Sequence, residues 1–185
     1  MHYKKLLWWL RAQLSRPFLK KVGVKTYLGK PCFIEGGKKI AIGNRVRIFP
    51  GVRMEAIGHD GCIIIGDNCA IEQNVHIISK DMVLSIGDDC AIAADVCITN
   101  LDHEYKDVSK SVIDQPCIVK QTTIGRGCFL GFGCTIQAGT VLGEHCIVGT
   151  RSVVRGTFPD NCVIVGVPAK IIKKLNPKNG KWEKV

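Results

Sequence analysis

Residues 124–154 read "IGRGCFLGFGCTIQAGTVLGEHCIVGTRSVV", with an aliphatic residue at 124, 130, 136, 142, 148 and 154. A period of six fits neither a helix, which turns in about 3.6 residues, nor a strand, whose side chains alternate in twos. It fits a coil with flat sides. Each aliphatic residue points into a narrow interior, and a small residue four positions later fills the space beside it. Three sides make a triangular coil of about 18 residues, and stacked coils form parallel sheets around one aliphatic column.

The same period extends outward from this stretch. Ile42-Gly43 leads to Ile48 and Met54, Ile65-Gly66 to Ile71 and Ile77, and Ile86-Gly87 to Ile92 and Ile98, and Ile118 restarts the count. "IGDN" at 65–68 and "IGDD" at 86–89 supply the Gly, Asn and Asp that tight corners need. No helical pattern alternates with the strands, which excludes a doubly wound α/β fold. The predicted fold is all-β, a parallel β-helix of hexapeptide repeats with an N-terminal amphipathic helix and a short C-terminal helix. The predicted organisation is a basic helix and linker over 1–30, the β-helix over 31–167 and a basic segment over 168–185, its last residues a loose tail. Short insertions fall at 59–64 and 80–85. One long loop, "NLDHEYKDVSKSVIDQP" at 100–116, leaves the repeat and returns. A loop of that length in a compact repeat is functional or disordered.

Composition narrows the classes. A chain of 185 residues can bury one substantial core. It holds ten cysteines but no CxxC pair. Cys69, Cys90, Cys128, Cys134 and Cys146 each follow an aliphatic residue by four, so they read as small thiols filling a repeated core site. The apolar run 6–10 is too short to span a bilayer. Arg11 cuts it and no small-residue cleavage site follows, so the expected location is cytoplasmic. The net charge is +10, and residues 1–30 hold eight Lys and Arg with no acid. Leu6, Leu7, Leu10 and Leu14 share one helical face, and Pro17 ends that helix. Two roles suit it: capping the open end of the coil, and peripheral contact of residues 1–21 with an anionic membrane through Trp8, Trp9 and the lysines. Nucleic acid is not an expected partner, because no binding motif accompanies the charge.

Across about residues 35–175 the [LIV]-G-x4 units resemble the hexapeptide-repeat acyltransferases. "GVPAKII" at 166–172 matches the motif after the last coil in the galactoside, maltose and polysaccharide O-acetyltransferases. The loop "DHEY…DQPCIVKQTTIG" looks most like the surface-polysaccharide branch. The resemblance implies left-handed coiling, acetyl-CoA as co-substrate, a homotrimer with sites between neighbouring subunits, and a saccharide acceptor that is lipid- or nucleotide-linked. It gives His103 the place of the catalytic base and Phe129 the place of an aromatic residue beside the CoA arm. Gly131, Phe132, Gly149 and Thr150 match backbone contacts to pantetheine, and Arg155, Lys170 and Lys173 match positions near the nucleotide end of CoA. Two positions depart from the galactoside branch. Gly156 replaces a basic residue, and Glu72 replaces a substrate-orienting Asn.

Acetyl transfer to a hydroxyl needs a base, an oxyanion donor and two substrates held in line. Histidine suits the first role because its pKa lies near the working pH. Asp102, Glu104, Glu72 and Asp81 are the candidates to orient the His103 ring or meet the acceptor, and Tyr105 is a candidate acceptor contact. A backbone N–H near Gly131 and Phe132 is the expected oxyanion donor, glycine permitting close approach. No metal is expected, since His76, His103 and His145 are too dispersed for a three-histidine zinc site. The expected activity is acetyl-CoA-dependent O-acetylation of a sugar hydroxyl in surface-polysaccharide (O-antigen, capsule or exopolysaccharide) biosynthesis. N-acetylation of a nucleotide-linked amino sugar and a non-catalytic β-helix scaffold are the alternatives.

Overall fold

The aliphatic sixes become three flat faces in the computed structural model, which describes residues 2–185. The first face holds seven strands, from Lys21–Val22 to Thr157–Phe158. The second runs from Tyr27–Leu28 to Cys162–Gly166 and continues into two antiparallel strands, nine in all. The third holds six, from Phe33–Glu35 to Val153–Val154. Strand pairing puts each aliphatic residue on the one a coil below: Leu28, Ile48, Ile71, Ile92, Leu130, Val148 and Ile164 stack along the second face and are buried. Each such side chain contributes about 1.5–3 kcal/mol on leaving water.

The corners follow from the residues foreseen for them. Asn68 and Asp89 adopt left-handed φ values of 57° and 59°, which short polar side chains tolerate. The Asn68 side-chain amide donates to Asp89 Oδ1 at 2.9 Å, tying one corner to the next. Asn44 does the same for Asp67, and those hydrogen bonds hold the Asp67 carboxyl below its usual range. Just inside the corner lie the cysteines. The thiols of Cys69, Cys90 and Cys128 each donate to a glycine carbonyl of the next coil at 3.2 Å. Burial pushes the Cys134 thiol up to about 12. All ten cysteines are free, as a core-filling role requires.

Helix α1 (His2–Ser15) forms, but it docks through the face opposite its leucines. Trp8 packs edge-on against Phe49 at 5.5 Å and tilted over Tyr27 at 6.1 Å. Ala12 is fully buried, and Arg11 Nη1 donates to the Leu28 carbonyl at 3.3 Å. Leu6 and Leu14 stay 57% and 73% exposed, with Leu7 and Leu10 beside them. The surface that receives the helix is aromatic and fits one indole; Leu19 folds in behind it to help close the coil end. The first rung is already in place at Lys21–Val22, ahead of the expected boundary at 31.

At the other end the expected short helix is absent. Residues Ala169–Asn176 form a strand antiparallel to Cys162–Gly166, and Lys181–Lys184 pairs onto it in place of a loose tail. The last rung of the coil would otherwise expose an unpaired edge. The β-branched pair Ile171-Ile172 suits a strand that covers it.

Candidate active site

Asn100 begins the departure from the coil. Its side chain is fully buried. Its Oδ1 accepts from the Lys80 N–H at 2.8 Å and its Nδ2 donates to the Lys80 carbonyl at 3.1 Å, while its own carbonyl accepts from the Lys120 N–H at 2.8 Å. Both ends of the loop are thereby clamped to the insertion at residues 80–82. Beyond the clamp, Leu101–His103 and Cys117–Val119 form an antiparallel ladder, so the loop is a hairpin with His103 opposite Cys117. The tip folds around Gln115, which is 7% exposed. Its side chain accepts from the Asp107 N–H at 3.2 Å and donates to the carbonyls of Asp107 and Lys110. The tip of the hairpin exposes Tyr105, Val108 and Ile113.

His103 projects into solvent, and among the described residues no hydrogen bond reaches its ring. Asp102 Oδ1 accepts the His103 backbone N–H at 2.9 Å, and Asp102 Oδ2 lies 4.0 Å from Arg155 Nη1. Glu104 turns back on its own loop, accepting the N–H groups of Tyr105 and Lys106. Those hydrogen bonds, Tyr105 first, hold its carboxyl below the usual range. Asp81 accepts the His59 N–H at 2.8 Å and so fixes the 58–60 turn instead of the histidine. Glu72 lies on the second face, in a cavity beneath α1. None of the four carboxylates orients the imidazole within one chain.

The expected CoA residues fall elsewhere. Phe129 stands on the outer side of the second face, and Phe132 lies at the corner between the second and third faces with Arg151 stacked 5.5 Å above its ring. Gly149 and Thr150 lie one coil above Gly131 and Phe132. Of the two N–H groups expected near the oxyanion, that of Gly131 donates to the Val148 carbonyl at 2.9 Å. Its glycine is needed because a Cβ would come within 2.7 Å of the Thr150 nitrogen and the Val148 oxygen. The Phe132 N–H has no acceptor among the described residues. Arg155 joins the His103 edge, across the third face from Phe132, through its contact with Asp102. Gly156 follows at φ 110°, a conformation that favours glycine over the basic residue of the galactoside branch. Lys170 and Lys173 lie on the strand after the coil, opposite Val165 and Val163. The His103 hairpin, with Asp102 and Arg155, lies on one border of the third face and the Phe132–Thr150 corner on the other, while Phe129, Glu72, Lys170 and Lys173 belong to the second face. Asn100 was missed by sequence reasoning; its partners Lys80 and Met82 lie in the other insertion, and only the fold joins them.

Three parallel faces built of hexapeptide units, with one long hairpin leaving the coil, define a hexapeptide-repeat β-helix. The profile described as bacterial transferase hexapeptide (six repeats) matches residues 121–156. The chain is 38% identical over 178 residues to a protein of Escherichia coli (strain K12) named putative lipopolysaccharide biosynthesis O-acetyl transferase WbbJ, covering 92% of this chain and 88% of that one. It belongs to the hexapeptide-repeat acetyltransferase family. Among solved structures, AntD, an N-acyltransferase from Bacillus cereus in complex with dTDP-4-amino-4,6-dideoxyglucose and coenzyme A, superposes with a TM-score of 0.79 at 20% identity, covering 91% and 90% of the two chains. Galactoside acetyltransferase in complex with coenzyme A gives 0.66 at 23% identity, with 95% and 76% covered. At these identities the likeness is one of fold. No group of His, Cys, Asp and Glu among the described residues could hold a metal ion.

Proposed function

We propose that this acetyltransferase moves the acetyl group of acetyl-CoA directly to a sugar hydroxyl of a surface-polysaccharide precursor, with His103 as general base. The observation that carries the reading is the free, exposed imidazole on an ordered hairpin, in a chain so similar to a protein named for O-acetyl transfer in lipopolysaccharide biosynthesis. As the hydroxyl oxygen bonds to the thioester carbonyl carbon, its proton passes to His103. The tetrahedral oxyanion accepts a hydrogen bond from the Phe132 N–H. Collapse breaks the C–S bond, and the CoA sulfur takes the proton from His103. The products are an acetyl ester and the CoA thiol.

The His103 hairpin and the Phe132–Thr150 corner lie on opposite borders of the third face, which supports a site built between neighbouring subunits of a homotrimer. Phe129, Phe132, Gly149 and Thr150 of one chain would then hold the CoA arm against His103 of another. The exposed apolar tip of the hairpin, Val108 at 97% and Ile113 at 84%, gives such an assembly surface to bury. Lys170, Lys173 and Arg155 are available to the CoA phosphates as charges. No helix among the described residues is long and apolar enough to cross a membrane. The outward leucines of α1 and the acid-free basic segment around them support peripheral binding at the inner face of the membrane.

His103→Ala tests the reading. We expect CoA thiol release with a saccharide acceptor to fall by about 10³-fold while CoA binding persists; near-normal turnover would refute it. Loss of the acetyl group in mild alkali identifies an ester, and an alkali-stable product would move the reading to N-acetylation of an amino sugar.

A further inference from the structure

Of the site residues named above, the cavity under α1 holds only Glu72. It is an open space of about 430 Å³ between the start of the helix and the outer side of the second face, within the size range of small-molecule sites. Its floor is aromatic: Trp8, Tyr27 and Phe49 meet there around Ala70. Lys4, Lys5 and Arg47 also line it, with Arg47 Nη2 donating to the Asn68 carbonyl at 3.3 Å. None of the three takes part in an ion pair among the described residues. Lys4 and Lys5 belong to the start of a helix with no acid in its first turn, where the macrodipole is already positive. Unpaired cations gathered at that end repel one another, and the repulsion is relieved by an anion.

The one carboxylate in the lining is Glu72. Three cations against one carboxylate leave two net positive charges, which match the two negative charges of a diphosphate diester. An aromatic floor takes a flat or apolar body, and the Arg47 guanidinium suits phosphate geometry. We propose that this cavity binds the diphosphate-linked carrier of the acceptor sugar: the diphosphate between Lys4, Lys5 and Arg47, the apolar or aromatic body of the carrier on Trp8 and Phe49, and a sugar hydroxyl donating to Glu72. The inference rests on the sugar-acceptor reading above. The carrier chemistry is shared by a polyprenyl diphosphate and a nucleoside diphosphate.

Calorimetric titration of the full chain, without acetyl-CoA, tests it with five probes: farnesyl diphosphate, dTDP, farnesol, thymidine and inorganic pyrophosphate. At least one of the two joined ligands should bind about tenfold or more tighter than either half alone. The doubly substituted Lys4→Glu/Lys5→Glu chain and, separately, Arg47→Gln should each weaken that binding by about tenfold. Both alter exposed or partly exposed charges, and an unchanged thermal melt verifies the fold. Binding of farnesyl diphosphate alone identifies a lipid carrier, and binding of dTDP alone a nucleotide carrier. No saturable heat with either, equal affinity for the halves, or affinity unchanged in both variants would overturn the proposal. Because the titration needs no turnover, it stands apart from the transfer assay: absent binding with intact transfer to a free sugar removes the carrier site alone.

Discussion

Asn100 carries more of the loop's geometry than any charged residue in it. Its amide replaces the backbone pairing that the coil loses where the hairpin departs. Removing it leaves the half-buried Lys80 N–H and carbonyl without their partner, at a cost of about 1–3 kcal/mol. Asn100→Ala should therefore lower unfolding free energy by about 2 kcal/mol in urea, and turnover should fall with it, because His103 hangs three residues downstream. A variant with wild-type stability and turnover would contradict this account. Gly131→Ala tests a different constraint, with a Cβ against backbone of the coil above. Since neither the Thr150 nitrogen nor the Val148 oxygen can swing aside, the coils must shift, and a loss of about 1–3 kcal/mol is expected in the same measurement. The sequence made His103 legible through its place in the one long loop and through family resemblance. It could not make Asn100 legible, because an asparagine at a loop edge reads as turn chemistry until the second insertion is folded against it. Nor could it show the acceptor of the Gly131 N–H, which is set by coil register.

Among the elements, the hexapeptide strands were legible almost residue by residue, because one geometric demand repeats in every coil. The ends were not. An apolar stripe on α1 says that something covers it and does not say what; Trp8, not the stripe, decides which side meets the coil. In "GVPAKIIKKL" helical spacing and β-branched residues compete, and the open edge of the Cys162–Gly166 strand settles the matter in favour of a strand. Two measurements follow. Replacing Leu6, Leu10 and Leu14 by Gln should leave stability within about 0.5 kcal/mol and lower binding to anionic vesicles by about tenfold; unchanged vesicle binding would show that the leucines cover another surface. The cysteines give the second. Cys32 is exposed, Cys62, Cys97 and Cys117 are half-buried, and the other six are buried. A thiol reagent should therefore label one site quickly and three slowly, and reach the rest only on unfolding. Fast modification of Cys128 or Cys146 in the native protein would mean that the column opens far more readily than its packing allows.

At the scale of the whole molecule, the arrangement of the site has a consequence for mixtures of subunits. A triangular column has borders facing different ways, and the third face separates the His103 hairpin from the Phe132–Thr150 corner. If one chain's hairpin serves the next chain's corner around a closed ring, each site draws on two chains. A chain carrying His103→Ala keeps a sound corner. A chain carrying Thr150→Trp, at an exposed position, keeps a sound histidine. Each alone should be inactive. Exchanged in equal amounts within a cyclic assembly, half of the sites carry a histidine and half of those meet a sound corner, so about one quarter of wild-type activity should return. A site contained within one chain would give no recovery at any ratio, because every chain in the mixture would carry one fatal defect. The ratio series is therefore decisive: activity that peaks near equal amounts requires the shared site, and a flat line at the level of the single variants places both halves of the chemistry on one protomer.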